Sequence, residues 1–140
     1  MMTTRASRKL THSAVATMLA AAVAKAESMG VPQNVWIVDD GGNPLGFTRM
    51  DGAKLLSIET SKSKAITAAS HRQPTGRLDP AVEVKFALAS GGRLTNLEGG
   101  LPILIEDEYV GGIGVGSGKG AEDVEVAKAA LAAIGARVDF

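Results

Sequence analysis

A run of alternating glycines near the carboxyl end constrains this chain more than any other feature. Apolar segments at 101–105 and 110–115 flank a polar turn, Glu106-Asp107-Glu108, and this pattern predicts a β-hairpin. Every second residue from 112 to 120 is glycine, and a helix-forming segment begins at 121. Because side chains alternate across a strand, these glycines leave one face of the second strand bare. We therefore expect a helix backbone or a bound molecule to lie close against that face.

The glycine loop departs from both common phosphate-binding loops. A P-loop has serine or threonine after its Gly-Lys pair, whereas Lys119 is followed by Gly120. The dinucleotide-binding pattern fits Gly116, Gly118 and Ala121, but it would follow an antiparallel hairpin instead of opening a βαβ unit. The sequence thus argues against a nucleotide site, while backbone N–H groups ahead of a helix suit an anion.

The composition argues against several classes of partner. The 15 lysines and arginines balance the 15 aspartates and glutamates, so no net field attracts nucleic acid or an acidic membrane surface. Aromatic residues make up 4% of the chain, which leaves little surface for stacking on single-stranded nucleic acid. The absence of cysteine removes disulfides, thiolate metal sites and cysteine nucleophiles. The length of 140 residues suits one domain with its own core.

The amino-terminal segment fits two interpretations. A basic cluster between Arg5 and Lys9 precedes the apolar-leaning stretch 13–24, as in a secretory signal peptide. Apolar residues nevertheless recur there at helical spacing, as one buried face: Val15, Met18, Leu19, Ala22, Val23 and Ala26. This periodicity favours a helix of the mature domain. We therefore expect a flexible tail at 1–9, a single domain at 10–140 and a cytoplasmic location, and no segment has the roughly 20 apolar residues that span a bilayer.

Turn chemistry divides the rest of the chain into elements. Gly30 ends the first helix, a Gly-Gly-Asn-Pro turn at 41–44 joins two strands, and Asp79-Pro80 opens a short helix. The longer helix predicted at 53–70 should bury Leu55 and Leu56. Two hairpins, each followed by helical sequence, indicate an α+β domain with an antiparallel sheet and helices on its faces. The predicted order is helix 10–29, strands 34–40 and 45–50, helix 53–70, short helix 79–89, a short strand, strands 101–105 and 110–115, and helix 121–134.

Several separated motifs resemble one family. They are Arg49-Met50-Asp51-Gly52-Ala53, Ser61-Lys62-Ser63-Lys64-Ala65-Ile66-Thr67-Ala68, Gly99-Gly100-Leu101-Pro102-Ile103, Val110-Gly111-Gly112-Ile113-Gly114-Val115, and Asp123 at the start of the last helix. In this order they resemble the GlcG/HbpS family of haem-associated proteins and the C-terminal part of PduO-type cobalamin adenosyltransferases. The resemblance implies about five antiparallel strands in a profilin-like layering, homo-oligomers, and haem or another tetrapyrrole as a ligand.

One departure from the family pattern falls in the glycine loop. The family usually has Gly-Val-Ser-Gly-Gly there, whereas this chain has Gly-Val-Gly-Ser-Gly at 114–118, which moves the hydroxyl by one residue. This shift weakens any role for a serine at the family's position.

The candidate site joins three elements. Arg49 and Asp51 end the first hairpin, and Lys64, Thr67 and His71 follow one another along one helix face. Asp51, Lys64 and His71 are the candidate acid–base residues, Asp51 on the condition that it is partly buried, and His71 is the candidate ligand of a haem iron. The candidate cofactor-binding residues are Arg49, Lys64, Thr67, His71, Gly116, Ser117 and Gly118.

Each candidate also has a structural interpretation. Arg49 and Asp51 suit a turn-stabilising salt bridge, Lys64 a solvated helix position, and His71 a contact with a helix carboxyl end. His12, the other histidine, suits a solvated or capping position. Three functions stay open at this point: haem binding or handling; an isomerase, lyase or hydratase acting on an organic acid in a catabolic pathway; and an accessory subunit without chemistry.

Overall fold

The computed structural model describes all residues, 1–140, and contains four helices and four strands. Residues 1–11 form neither, although Lys9 Nζ lies 2.6 Å from Asp40 Oδ1 and Arg8 pairs with Glu106 at 2.7 Å. None of the helices is long and apolar enough to cross a membrane. The elements are α1 (His12–Met29), β1 (Asn34–Asp39), β2 (Pro44–Arg49), α2 (Ser57–His71), α3 (Glu83–Ala89), β3 (Gly100–Ile105), β4 (Glu108–Gly116) and α4 (Gly120–Ala133).

The strands form one antiparallel sheet in the order β2-β1-β4-β3. The α+β class is confirmed, but the expectation of about five strands is wrong, because the short strand before β3 does not form. Two N–H groups of this segment donate to side chains instead of a neighbouring strand: Thr95 N–H donates to Thr67 Oγ1 at 3.0 Å, and Leu94 N–H donates to Ser90 Oγ at 2.9 Å. The first bond ties the segment to α2, and the second holds it at the residue that follows the helix 83–89.

The main core lies between one face of the sheet and the helices α1 and α4. The apolar face predicted for the first helix is confirmed, since Val15, Met18, Ala22 and Ala26 are buried there and Leu19 packs beside them. Period-two alternation directs the strand side chains to the same core. They are Val35 and Ile37 from β1, Leu101 and Ile103 from β3, and Ile113 and Val115 from β4.

Helix α2 covers the other face of the sheet, against the bare glycines of β4. A Cβ on Gly112 would overlap the carbonyl of Ala65, and a Cβ on Gly114 would overlap the carbonyl of Ser61. Strand and helix backbones therefore touch, which only glycine permits at these positions. Of the two expected neighbours of this bare face, a helix backbone or a bound molecule, the structure shows the helix backbone, that of α2.

Helix α2 begins later than the prediction of 53–70. Ala53 N–H donates to the Met50 carbonyl at 3.1 Å and Ser57 N–H to the Lys54 carbonyl at 3.2 Å, so two successive turns precede the helix. These turns carry the chain from edge strand β2 across to β4, about two strand spacings or ~10 Å away. The expected burial of Leu55 and Leu56 is consequently wrong, since they are 65% and 76% exposed.

Helix α3 is also shorter than the predicted 79–89. Asp79 Oδ1 accepts the N–H of Ala81 at 2.9 Å, and the Asp79 carbonyl accepts the N–H of Val82 at 3.0 Å. Asp79 therefore stabilises a turn at residues 79–82 instead of capping a helix. The helix starts at Glu83 once that turn is complete.

Candidate functional site

A polar cleft of about 410 Å³ opens where β4 runs into α4, beside the first turns of α2. We call it the Lys64 cleft. The glycine loop places it there, because the chain leaves the sheet at Gly116 and enters α4 at Gly120. Its lining residues are Lys54, Ser57, Thr60, Lys64, Leu97, Glu98, Ser117, Gly118, Gly120 and Asp123.

A buried ion pair forms one wall of this cleft. Lys64 Nζ lies 3.1 Å from Asp123 Oδ2 and donates to the Val115 carbonyl at 2.8 Å. Lys64 is 5% exposed and Asp123 is 1% exposed. The pair joins α2 to α4 across the end of β4. The structural interpretation of Lys64 as a solvated helix residue is therefore wrong.

Burial raises the pKa of Asp123 above its usual value. The charge of Lys64 and hydrogen bonds from Lys64 and Gly118 oppose this rise, and Gly118 N–H donates to Asp123 Oδ1 at 3.1 Å. Because burial outweighs these partners, the carboxyl is held less firmly in its ionised form than an exposed aspartate.

Gln33 lies behind the loop and is fully buried. A Cβ on Gly118 would be 2.8 Å from Gln33 Nε2 and 2.9 Å from Asp123 Oδ1, so the amide and the carboxylate meet at this glycine. Neither Nε2 nor Oε1 of Gln33 forms a hydrogen bond of normal geometry. A buried amide without partners carries a free-energy cost that folded proteins generally avoid.

Ser117 connects the loop to the start of α2. Its Oγ accepts the N–H of Lys54 at 2.9 Å, and its backbone has φ +98°, a conformation that favours glycine. The hydroxyl that is shifted relative to the family pattern thus stabilises the wall of the cleft. The neighbouring Gly116 lies against Ser57 and Ser61 of α2.

The structure does not present Lys64, Thr67 and His71 as one ligand-facing row. Thr67 is 2% exposed, and its Oγ1 accepts the N–H of Thr95. His71 is half-buried at the end of α2, where its ring lies edge-on to Phe86 with 6.2 Å between centroids. Its Nδ1 is buried and has no hydrogen-bond partner. The three side chains therefore have separate surroundings, although one helix carries them.

Arg49 and Asp51 lie outside the cleft. Arg49 Nη2 donates to the Ala53 carbonyl at 3.3 Å, and the expected salt bridge with Asp51 does not form. Asp51 is exposed in the turn after β2, which does not meet the condition of partial burial for a general base. The structure holds no group of three or more His, Asp or Glu side chains arranged for a metal ion.

A second concavity of about 490 Å³ lies beside the carboxyl end of α2. Ile66, Ala69 and Leu94 give it an apolar surface, and Arg72 and Arg93 add two guanidinium groups. His71 is the last residue of α2 and lies next to Arg72 in the chain, but it does not line this groove. Asp40 also lines the groove, so it combines a small apolar surface with two arginines and one carboxylate.

Sequence reasoning used Asp123 only as a family motif and missed its partner. The spacing contained a signal: Asp123, Val126, Ala127, Ala130 and Leu131 recur at helical positions on one buried face. A carboxylate on that face requires a cation or hydrogen-bond donors. The pairing with Lys64 could not be read from spacing, because the two residues are 59 positions apart.

Comparison with known proteins places this chain in a family. The sequence profile of the haem-degrading HbpS-like proteins matches residues 10–132. The chain is 37% identical over 128 residues to a 15.0 kDa protein of the dhaT-dhaS intergenic region of Citrobacter freundii, covering 87% of this chain and 89% of that protein.

Solved structures agree with the sequence comparison. The crystal structure of Klebsiella pneumoniae protein ORFY superposes with a TM-score of 0.91 at 31% identity, covering 96% of this chain and 97% of that one. A PduOC:haem complex superposes with a TM-score of 0.86 at 28% identity, covering 95% of this chain and all of that one. The resemblance predicted from the separated motifs is confirmed, and this chain belongs to the HbpS-like family.

Proposed function

We propose that this protein binds haem and that His71 would hold the iron. The observation that carries the proposal is the similarity to the PduOC:haem complex, which extends over 95% of this chain and all of that domain. A fold alone transfers no ligand, so the proposal also depends on the side chains at the end of α2.

The surroundings of His71 suit a haem iron better than those of His12. His12 is exposed at the first turn of α1, whereas His71 is half-buried against an aromatic ring. Because Nδ1 of His71 is buried, Nε2 is the nitrogen that an iron could reach. Imidazole is a common axial ligand of haem, and the chain has no cysteine as a competitor.

Apolar surface for the porphyrin is present beside this histidine. The ring of Phe86 on α3, which contacts His71, is 38% exposed and offers that surface, whereas Val84 and Leu88 are exposed on the other side of the helix. Arg93, in the adjacent groove, and Arg72, whose guanidinium lies over the Tyr109 ring, are candidates for pairing with the propionates. Lys64 and Thr67 are less suitable for that role, since both are buried with internal partners. When bound, haem would supply ligand-binding and redox chemistry at its iron.

Titration of the purified protein with haemin tests the proposal through the Soret band. Wild type should give a saturable, shifted band, and His71→Ala should lose the shift. Since even indirect partners of a metal ligand change affinity by about 10- to 100-fold, we expect His71→Ala to weaken binding at least about tenfold.

His12→Ala is the matched control, because it removes the other histidine from an exposed position. It should retain the wild-type spectrum and affinity. Circular dichroism should be unchanged in both variants. Identical haemin spectra and affinities for wild type and His71→Ala would exclude His71 as the ligand, and no saturable binding by wild type would exclude the function.

A further inference from the structure

We propose that the Lys64 cleft is a second site, independent of haem, that binds the carboxylate of a small organic acid. The ammonium of Lys64 anchors the ligand from the wall of the cleft. Two polar groups carry the proposal: one N–H of Lys64 without a partner in the protein, and the buried amide of Gln33.

The first observation concerns the hydrogen bonds of Lys64. An ammonium group has three N–H donors, and the structure assigns two of them, to the Val115 carbonyl and to Asp123 Oδ2. Lys64 also lines the cleft, although its side chain is almost wholly buried. The third N–H of Lys64 has no partner in the protein, and the charge that carries it is excluded from bulk water. Such a donor favours an anionic acceptor supplied by a ligand.

The second observation concerns Gln33, whose amide is fully buried beside Asp123 with no hydrogen bond of normal geometry, although its nearness to that carboxylate opposes the rise of the Asp123 pKa. The Asp123 carboxylate already accepts hydrogen bonds from Lys64 and Gly118. The Gln33 amide places a further N–H donor near it, behind the glycine loop. Asp123 therefore has donors near it besides Lys64, so the ammonium is not its sole neighbour.

The cleft lining selects for a small polar ligand. Leu97 is its one large apolar side chain, while Ser57 and Thr60 contribute hydroxyl groups from α2. Lys54 and Lys64 are offset by Glu98 and Asp123, so the site has no excess positive charge for a polyphosphate. A porphyrin would find little apolar surface here, which separates this cleft from the end of α2. The volume of about 410 Å³ is in the range of small-ligand sites.

Amide NMR of the ¹⁵N-labelled protein tests this proposal. Sodium acetate and sodium lactate are added at constant ionic strength, with sodium chloride and inorganic phosphate as comparison anions. At least one of the two carboxylates should produce saturable shifts at the amides of Ser117, Gly118 and Gly120, and chloride should produce none. Saturable shifts with phosphate alone would overturn the assignment to carboxylates, as would no saturable shift with either acid.

Two variants identify the anchor. The double substitution Lys64→Met/Asp123→Leu replaces the pair with apolar side chains, and it should abolish the shifts while spectral dispersion reports an intact fold. Thr60→Val keeps the pair and removes one hydroxyl from the wall, so it should weaken binding by about three- to tenfold. Lys62→Met is the control, because it removes a lysine of the same helix outside the cleft. Equal affinity for wild type and the double variant would overturn the proposal.

Discussion

Lys64 on α2 and Asp123 on α4 form an ion pair with 3.1 Å between Nζ and Oδ2, and both side chains are nearly excluded from solvent. The two helices lie on opposite faces of the sheet, so the pair meets at the end of β4, where the glycine loop leaves the sheet. Removing water from both charges is costly, and their mutual attraction offsets that cost only while both are present. This dependence has a direct consequence for stability.

We predict that Lys64→Met alone lowers the free energy of unfolding by about 3–5 kcal/mol, since it leaves Asp123 buried without its cation. The double variant Lys64→Met/Asp123→Leu should recover most of that loss, because it buries no charge. Urea unfolding followed by circular dichroism measures both values. Lys62→Met serves as the control and should cost at most about 1 kcal/mol, from its cation–π contact with Trp36. Equal destabilisation by the single and double variants would contradict the prediction.

The glycines of β4 should differ in their tolerance of a methyl group. Gly114→Ala forces a Cβ into the Ser61 carbonyl and should destabilise the protein by about 3 kcal/mol, through overpacking of strand against helix. At Gly116 the nearest atoms are 3.3 Å from the added Cβ, so Gly116→Ala should cost about 1 kcal/mol or less. Thermal and urea unfolding of the two variants provide the comparison. A similar cost at both positions would show that helix contact does not set the requirement for glycine.

The turn between β1 and β2 should contribute stability that depends on pH. Although burial opposes it, hydrogen bonds from Asn43 and Gly41 hold the pKa of Asp39 below its ordinary value. A lowered folded-state pKa means that this stabilisation is present above the unfolded pKa of about 3.9 and is lost as pH falls through the folded-state value. Wild type should therefore be more stable than Asp39→Asn at pH 6, and the difference should shrink as the pH falls below the unfolded-state pKa of about 3.9. Urea unfolding across this range measures it, and Asp107→Asn in the exposed β3–β4 turn is the control.

We also expect the protein to assemble in solution. Leu55 and Leu56 form an adjacent apolar pair that is mostly exposed, and large exposed apolar surface is typical of an interface. Light scattering at micromolar concentration should give at least twice the 14.3 kDa of one chain. Leu55→Glu/Leu56→Glu should shift the mass toward that of one chain, whereas Thr17→Glu on the exposed side of α1 should not. A wild-type mass of one chain would refute the expectation.

Sequence reasoning was most accurate where local periodicity and core packing agree. The buried face of α1 and the four strands all followed from spacing, because side-chain period and burial coincide there. It failed at Leu55 and Leu56, whose local sequence suits a helix but whose backbone must cross the sheet end in turns. It also failed for the short strand, since side-chain acceptors such as Thr67 Oγ1 replaced a strand partner.

The candidate site, too, could be predicted from the sequence only in part. The sequence by itself determined the family, the antiparallel α+β class and the glycine strand that needs a close neighbour, because these depend on residue type and local order. Only the tertiary structure decided that α2 is that neighbour, that Lys64 pairs with Asp123, and that Asp51 stays exposed. These depend on contacts between residues far apart in the chain, and chain spacing does not specify which distant groups share a buried volume.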